Sequence, residues 1–408
     1  VAKGRALIVG GSMGGLCAGL LLRRAGWEVR IFERAAEELV GRGAGIVTHP
    51  ELERALAACG VAELARLGVP VASRRLFDRD GGVIATLDRP QITTSWDHLF
   101  RLLRRAFPDA CYHQGRCLVA LEEVAGGGGV RARFSDGGAE EGDLLVAADG
   151  FRSTVRSLLM PEVAPAYAGY VGWRGLVPEA AMPPDVHAAL FAHFAFYLPP
   201  GEQILGYPAA GPEEDLSPGR RRYNFVWYRP ASAEEELPRL LTGVSGRRHA
   251  LGIPPPEIRP AAVAALKADA ESLLPWPFAR LVALCPQPFL QPIYDLAVPR
   301  MAVGRVALLG DAAFIARPHV GAGVSKAALD ALALAQALDS AGDVAAALAA
   351  YDAERRPEGL RALRQGQELG ACIAAGDAAD ERAIRLRASA RDPARLLAET
   401  ATLDFLSR

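Results

Sequence analysis

The chain has 408 residues, 50% hydrophobic and 23% charged, with 46 basic residues against 47 acidic ones. That length accommodates two or three cored units, and so even a charge balance gives no electrostatic footprint for nucleic acid. Its six cysteines (Cys17, Cys59, Cys111, Cys117, Cys285 and Cys372) include no C-x-x-C pair, which argues against a disulfide framework or a metal site and for a reducing cytoplasm.

Residues 6–9, Ala-Leu-Ile-Val, read as a short buried strand. It begins too early to leave room for a signal peptide, and no later apolar run reaches membrane-spanning length, so a soluble protein without a membrane partner is expected. Gly10-Gly11-Ser12-Met13-Gly14-Gly15 follows, then a helical pattern through Leu16, Leu20, Leu21 and Leu22 to Ala25, with Gly26 placed for a left-handed cap. Residues 29–33 form the next predicted strand, so the chain opens as a βαβ unit. Alternation predicts a hairpin over 73–87 about Asp80-Gly81-Gly82. The spacing of Leu99, Leu103 and Ala106 predicts a helix over 96–106, with Ser95 as its cap.

Strands follow at 116–123 and 130–134, and the glycine run 126–129 between them reads as a hairpin tip rather than a phosphate loop. A buried strand over 144–147 ends at Asp149-Gly150. From Tyr167 to about Pro288, aromatic and proline content rises, and alternation over 191–198, 204–207 and 223–228 predicts an antiparallel sheet. Residues 306–309 return to a parallel-type strand ending at Gly310-Asp311. A long helix from about Gly323, with Val324, Ala327, Ala328, Ala331, Ala335 and Leu338 on one face, and more helix over 344–364 close the chain. The predicted class is α/β. A Rossmann-type domain is assembled from 1–72, 91–166 and 289–345, a β-sheet domain from 73–90 and 167–288, and a helical region from 346–408.

A dinucleotide fold needs a tight turn, a close backbone approach to pyrophosphate and a helix N-terminus facing the phosphates. Gly10 and Gly15 occupy the first and last fingerprint positions, but Ser12 replaces the middle glycine. Any glycine turn between strand and helix would look similar. Glu33, at the end of the second predicted strand, adds an acid suited to the adenosine ribose hydroxyls. Neither feature separates NAD from FAD.

Two later strand ends do. Asp149-Gly150 leads into A-D-G-F-R-S-T-V-R, with Ser153 and Arg156, and Gly310-Asp311-Ala312-Ala313 is followed by Pro318 and Gly321-Ala322-Gly323. In this order and separation the three segments resemble the FAD-dependent aromatic hydroxylases of the para-hydroxybenzoate hydroxylase type. Within that family the chain is most similar to the 2,6-dihydroxypyridine hydroxylases, over nearly its full length. Gly10-Gly11-Ser12, Gly45-Ile46-Val47 with Pro50-Glu51, Tyr167-Ala168-Gly169-Tyr170-Val171 with Trp173-Arg174-Gly175, and Arg317-Pro318-His319 carry that similarity.

The resemblance implies non-covalent FAD, NADH or NADPH as transient co-substrate, and O2. The implied reaction is attack of an electron-rich hydroxypyridine or phenol on a flavin C4a-hydroperoxide. It assigns FAD contacts to Gly10, Ser12, Met13, Gly15, Glu33, Arg34, Gly45, Arg101, Asp149, Asp311, Gly321, Ala322, Gly323 and Val324. Asp311 is expected on the ribityl chain, and the turn at 321–323 is expected to present helix N–H groups to reduced flavin. Arg101 fits either a flavin contact or a solvated helix position. His319 is the candidate base, with a structural histidine as the alternative. His193, Tyr207, Asn224 and Pro318 are candidate substrate contacts, and Arg174 fits substrate, nicotinamide or a neighbouring carboxylate. A flavin halogenase or reductase, or a non-catalytic flavoprotein, could share the scaffold, although the W-x-W-x-I-P halogenase signature is absent. A monomer or homodimer is expected.

Overall fold

The computed structural model describes residues 3–39, 45–61, 66–124, 128–373 and 381–407. Strands that are apolar on both faces need cover on both sides, and they form the first sheet. Its order is Ala302–Val303, Val306–Leu308, Leu144–Ala147, Arg5–Val9, Glu28–Glu33 and Tyr112–Gln114. All but the first are parallel to their neighbours. The helices Met13–Arg24 and Gly323–Ser340 cover this sheet. Gly14 lets the first of them close on the strand ends, since a Cβ there would lie 2.6 Å from Leu309 Cδ1. Gly26 has φ +91°, the left-handed cap its sequence context predicts.

The expected hairpin is present as Val69–Phe77 paired with Val83–Ser95. Its second strand runs directly into the helix Trp96–Ala106, where the Ser95 hydroxyl accepts the His98 N–H at 3.2 Å. Leu118–Glu123 and Val130–Phe134 pair as predicted and are joined by Ala139–Gly142 in a three-stranded sheet. The glycine run between the first two lies partly outside the described residues.

The aromatic region forms a sheet of nine strands, in the order Phe314–Ile315, Phe289–Ala297, Ala166–Pro178, Arg222–Pro230, Gln203–Ala209, His193–Tyr197, Val69–Phe77, Val83–Ser95 and Gly45–Val47. It is antiparallel except where His193–Tyr197 runs parallel to Val69–Phe77. Side chains alternate between its faces. Tyr223, Phe225 and Trp227 enter a core under the helices Pro184–Leu190, Pro260–Leu273 and Trp276–Leu284. Val226 and Tyr228 face the opposite way, with Phe194, Leu205 and Tyr207.

In the C-terminal region the helix Val344–Leu369 ties to the first sheet where the Tyr351 hydroxyl donates to the Leu308 carbonyl at 2.8 Å. Beyond it, Ala390, Leu396, Leu397 and Ala401 pack on the second face of the nine-stranded sheet. No helix among the described residues is long and apolar enough to cross a membrane.

Candidate functional site

A cavity of about 210 Å³ opens where the first sheet's strands end, lined by Gly10, Ser12, Glu33, Arg34, Trp96 and Asp149 among others. The glycine turn is shaped by close backbone approach. Gly10 has φ +103° and a Cβ there would lie 2.3 Å from the Ala148 carbonyl, while one on Gly15 would lie 1.9 Å from the Gly10 carbonyl oxygen. Ser12 precedes the helix without capping it, so its hydroxyl is not used inside the turn. Met13, expected beside the cofactor, buries its side chain in the core because the first helical turn presents that face to the sheet. Glu33 is buried, with Oε2 accepting the Gly11 N–H at 2.8 Å and Oε1 the Ala35 N–H at 2.9 Å. The acid expected at the ribose therefore also clamps the turn, and each oxygen keeps a second lone pair.

Asp149 accepts the Val155 N–H through Oδ2 at 3.1 Å, while Oδ1 is buried without a partner. Burial raises its pKa, opposed by hydrogen bonds from Ser153 and Val155. Arg156 explains the rest of the A-D-G-F-R-S-T-V-R segment. Its guanidinium donates to the carbonyls of Phe151 at 2.8 Å and Ala312 at 3.1 Å, tying this turn to the one at Gly310-Asp311.

The 149–152 turn and Trp96 lead into a second cavity of about 690 Å³. Phe194, Tyr207, Tyr228, Phe289 and Tyr294 wall it from the nine-stranded sheet, and residues 315–324 form another side. Asp311 lies on this cavity, its carboxyl pushed up by burial and held back by Lys326. The helix Gly323–Ser340 begins at the cavity without a side-chain cap, after the left-handed Gly321 at φ +60°. Its first N–H groups can meet an anion there. A nucleotide end, an unpartnered buried carboxylate oxygen and an uncapped helix terminus on adjoining cavities fit the two halves of FAD.

His319 is 1% exposed, and its Nε2 lies 2.9 Å from the Tyr170 hydroxyl. Burial, then Arg317 and Arg174, lowers its pKa to about 3. The Tyr170 hydroxyl also meets the Arg317 guanidinium, which can only donate. Tyr170 therefore donates to Nε2, and the ring proton sits on Nδ1, which is buried without a partner. Arg317 is itself held by Asp295 at 2.9 Å.

Arg174 shares its strand face with Tyr170 and lines the same cavity. Its Nε is buried without a hydrogen-bond partner, and among the described residues no ion pair joins it to a carboxylate. That removes one of the three possibilities the sequence left open for it.

Gly45, Pro318, Gly321, Ala322, Gly323 and Val324 line the second cavity, as does Tyr207. The Tyr207 hydroxyl, however, donates to the Gly45 carbonyl at 2.9 Å, and Asn224 accepts the Gly45 N–H at 3.1 Å. Asn224 is fully buried; it is on the same strand face as Val226 and Tyr228, but the edge strand at Gly45, where a Cβ would lie 2.8 Å from Asn224 Cγ, covers it and lines the cavity in its place. His193 points to the opposite face of the sheet, where Nδ1 meets the Ser73 hydroxyl at 2.9 Å, because it is one residue out of register with Phe194. Arg101 lines neither cavity and approaches Glu214 at 3.9 Å. The residue of that helix that does reach both cavities is Trp96 at its first position, which a sequence search for charged partners passes over.

Residues 167–295 match the family described as FAD binding domain-like, and residues 292–366 the family described as FAD binding domain. The chain is 34% identical to 2,6-dihydroxypyridine 3-monooxygenase of Paenarthrobacter nicotinovorans, over 91% of this chain and 92% of the relative. It is 30% identical to 3-amino-4-hydroxybenzoate 2-monooxygenase of Streptomyces cremeus, over 96% and 93%. The solved structure of 2,6-dihydroxypyridine-3-hydroxylase from Arthrobacter nicotinovorans superposes with a TM-score of 0.86 at 33% identity, covering 93% of this chain and 95% of that one.

Proposed function

The chain belongs to the FAD-dependent aromatic hydroxylases, and on that premise we propose that its 690 Å³ cavity takes a small hydroxypyridine or phenol, bound as its anion. FAD supplies hydride acceptance from NAD(P)H and activation of O2. In this reading the glycine turn, Ser12 and Glu33 hold its adenosine half. Asp149 and Asp311 meet hydroxyl groups of the linker, and the start of the helix Gly323–Ser340 faces the flavin ring.

The observation that carries the substrate class is Arg174, a cation without a carboxylate partner in a cavity lined largely by aromatic and aliphatic side chains. A ring hydroxyl that loses its proton to solvent there gains a charge-assisted partner, and the ring becomes richer in electrons. His319 acts in this scheme as a donor. Its Nδ1–H offers a hydrogen bond to the ring oxygen or ring nitrogen, and its low proton affinity keeps it neutral. A base with a pKa near 3 has little tendency to take a proton from a phenol at neutral pH.

A panel of hydroxypyridines and phenols, scored for stimulated flavin reduction and for product mass, tests this. The expected outcome is product one oxygen heavier, with NAD(P)H consumed in step. Cofactor oxidation that yields only hydrogen peroxide across the whole panel would rule the reading out.

A further inference from the structure

Thr400 and Ala401, in the stretch of sequence with the fewest recognisable signals, form part of the wall of the 690 Å³ cavity. Ala401 has φ +52°, a conformation that a residue with a Cβ seldom adopts unless its surroundings impose it. Its carbonyl collects donors from three elements: Gln91 Nε2 at 3.1 Å, His49 Nε2 at 3.2 Å and Arg74 Nη2 at 3.4 Å. Its own N–H donates to the His319 carbonyl at 2.8 Å.

Arg74 is 0% exposed. It donates to the carbonyls of Leu397 at 2.8 Å and Thr400 at 2.5 Å, and to Gln91 Oε1 at 2.7 Å. A guanidinium buried among neutral acceptors is an expensive anchor for a chain terminus. Burial and the nearby Arg89 draw it down to about 9, so it remains charged at neutral pH. Apart from Gln91, every acceptor it uses is a main-chain carbonyl of the 397–401 stretch. The same guanidinium lies 5.3 Å from the ring centroid of Phe194, another cavity wall.

We propose that Arg74 is a positioning residue that fixes 397–401 as the closing wall of the substrate cavity, and that the Thr400 hydroxyl on this wall is a specificity-determining contact. Thr400 lines the cavity, and its Oγ1 is buried without a partner in the protein. The strap also holds the opposite side of the cavity in place. A Cβ at Gly321 would lie 2.7 Å from Ala401 Cβ, so the turn and the strap fit only with glycine there. His49 extends the link: Nε2 donates to Ala401, which leaves Nδ1 to accept the Ser325 hydroxyl at 2.8 Å in the first turn of the helix Gly323–Ser340. One node thus sets the strap, the His319 backbone and the uncapped helix terminus relative to one another. The inference rests on reading this cavity as the substrate site.

The test uses Arg74→Met and Thr400→Val holoenzymes. Arg74→Met is expected to keep its FAD content and to show faster amide exchange over residues 396–403. Coupled kcat/KM should fall about ten- to hundredfold, with KM raised and peroxide replacing product, as for a displaced cavity wall. Arg74→Lys should recover part of that loss. Thr400→Val should shift the KM ratio between hydroxyl- and methyl-substituted rings roughly tenfold. Wild-type coupling and KM in an Arg74→Met holoenzyme would overturn the positioning role even if exchange were faster, and an unchanged KM ratio in Thr400→Val would overturn the contact. If Arg74→Met does not fold, Gln91→Leu, which removes a partner of Arg74 and a donor to Ala401, carries the same measurements. Failure of the wild type to couple any aromatic would count against the cavity assignment alone, because amide exchange reports the anchoring independently.

Discussion

In the proposed reading, Arg174 and His319 divide the work of recognising a ring oxygen between a fixed charge and a fixed dipole. Arg174→Met removes the charge from an aromatic wall while keeping much of the volume. Affinity for the anionic form of a substrate should fall by about 1.5–3 kcal/mol, roughly ten- to hundredfold, the range for a lost hydrogen bond to a charged group. FAD content should not change. Titrating substrate affinity against pH checks the assignment, since the variant should lose the preference for the ionised ring; a retained preference would place the anion elsewhere. For His319 the decisive quantity is its pKa of about 3, set first by burial and then by Arg317 and Arg174. His319→Ala should lower the coupled rate at every pH across about pH 6–9 without altering the profile's shape, because the imidazole does not titrate there. Loss of an inflection in that range on removing His319 would show that it does serve as the base.

Two neighbouring aspartates, Asp311 after a buried strand and Asp330 within the helix that packs on its turn, separate binding from stability. Asp330, on the helix Gly323–Ser340, accepts the Gly310 N–H at 3.0 Å, pairs with Arg355 at 2.9 Å and lies 3.7 Å from Lys326. Asp311 sits on the turn that Asp330 holds, and none of its carboxylate oxygens is needed to fasten helix to strand. Asp330→Ala leaves Lys326 buried without its ion pair and Arg355 with Glu358 alone, which should cost about 3–5 kcal/mol and lower the thermal midpoint clearly. Asp311→Ala should instead reduce flavin occupancy with a much smaller change in thermal midpoint. Calorimetry alongside absorbance of bound flavin distinguishes them, and equal loss of flavin and stability in both would mean that the turn acts only as a structural unit. The sequence already marked Gly310-Asp311 by its place after a buried strand. It gave no sign of Asp330, whose partners come from a strand end and from a helix further along the chain.

Across the whole molecule, the C-terminal strap ties stability to pH through His49. Burial holds its pKa at about 4, against the ordinary 6.5. Well above 6.5 the imidazole is neutral whether the chain is folded or not, and it contributes no pH dependence. As pH falls from 6.5 towards 4, the unfolded chain takes up a proton that the folded protein excludes, and stability drops by up to about 1.4 kcal/mol per pH unit. The holoenzyme's thermal midpoint should therefore fall between about pH 7 and about pH 5, and fall less in His49→Gln, which lacks the titrating group. Parallel slopes in the two proteins would remove His49 as the source.

Local periodicity and turn chemistry were enough to place the opening βαβ unit, the helix Trp96–Ala106 with its Ser95 cap, and the strand-end turns at Asp149 and Asp311, because hydrogen bonds and apolar faces within a few residues determine them. The same local information supported Gly10, Gly15 and Glu33, where a turn can be recognised from its own residues. Which face a strand residue shows depends on register with a partner strand elsewhere in the chain. That is why His193 proved to lie on the other side of its sheet, while Asn224, on the expected face, is covered by an edge strand from residues far earlier in the chain. Arg174 could be noticed in the sequence but not assigned, since the absence of a carboxylate beside it is a property of assembled space. The Arg74 node was beyond sequence reading altogether. It joins residues 49, 74, 91, 319, 325 and 401, and main-chain carbonyls, which carry no side-chain identity, supply most of its acceptors.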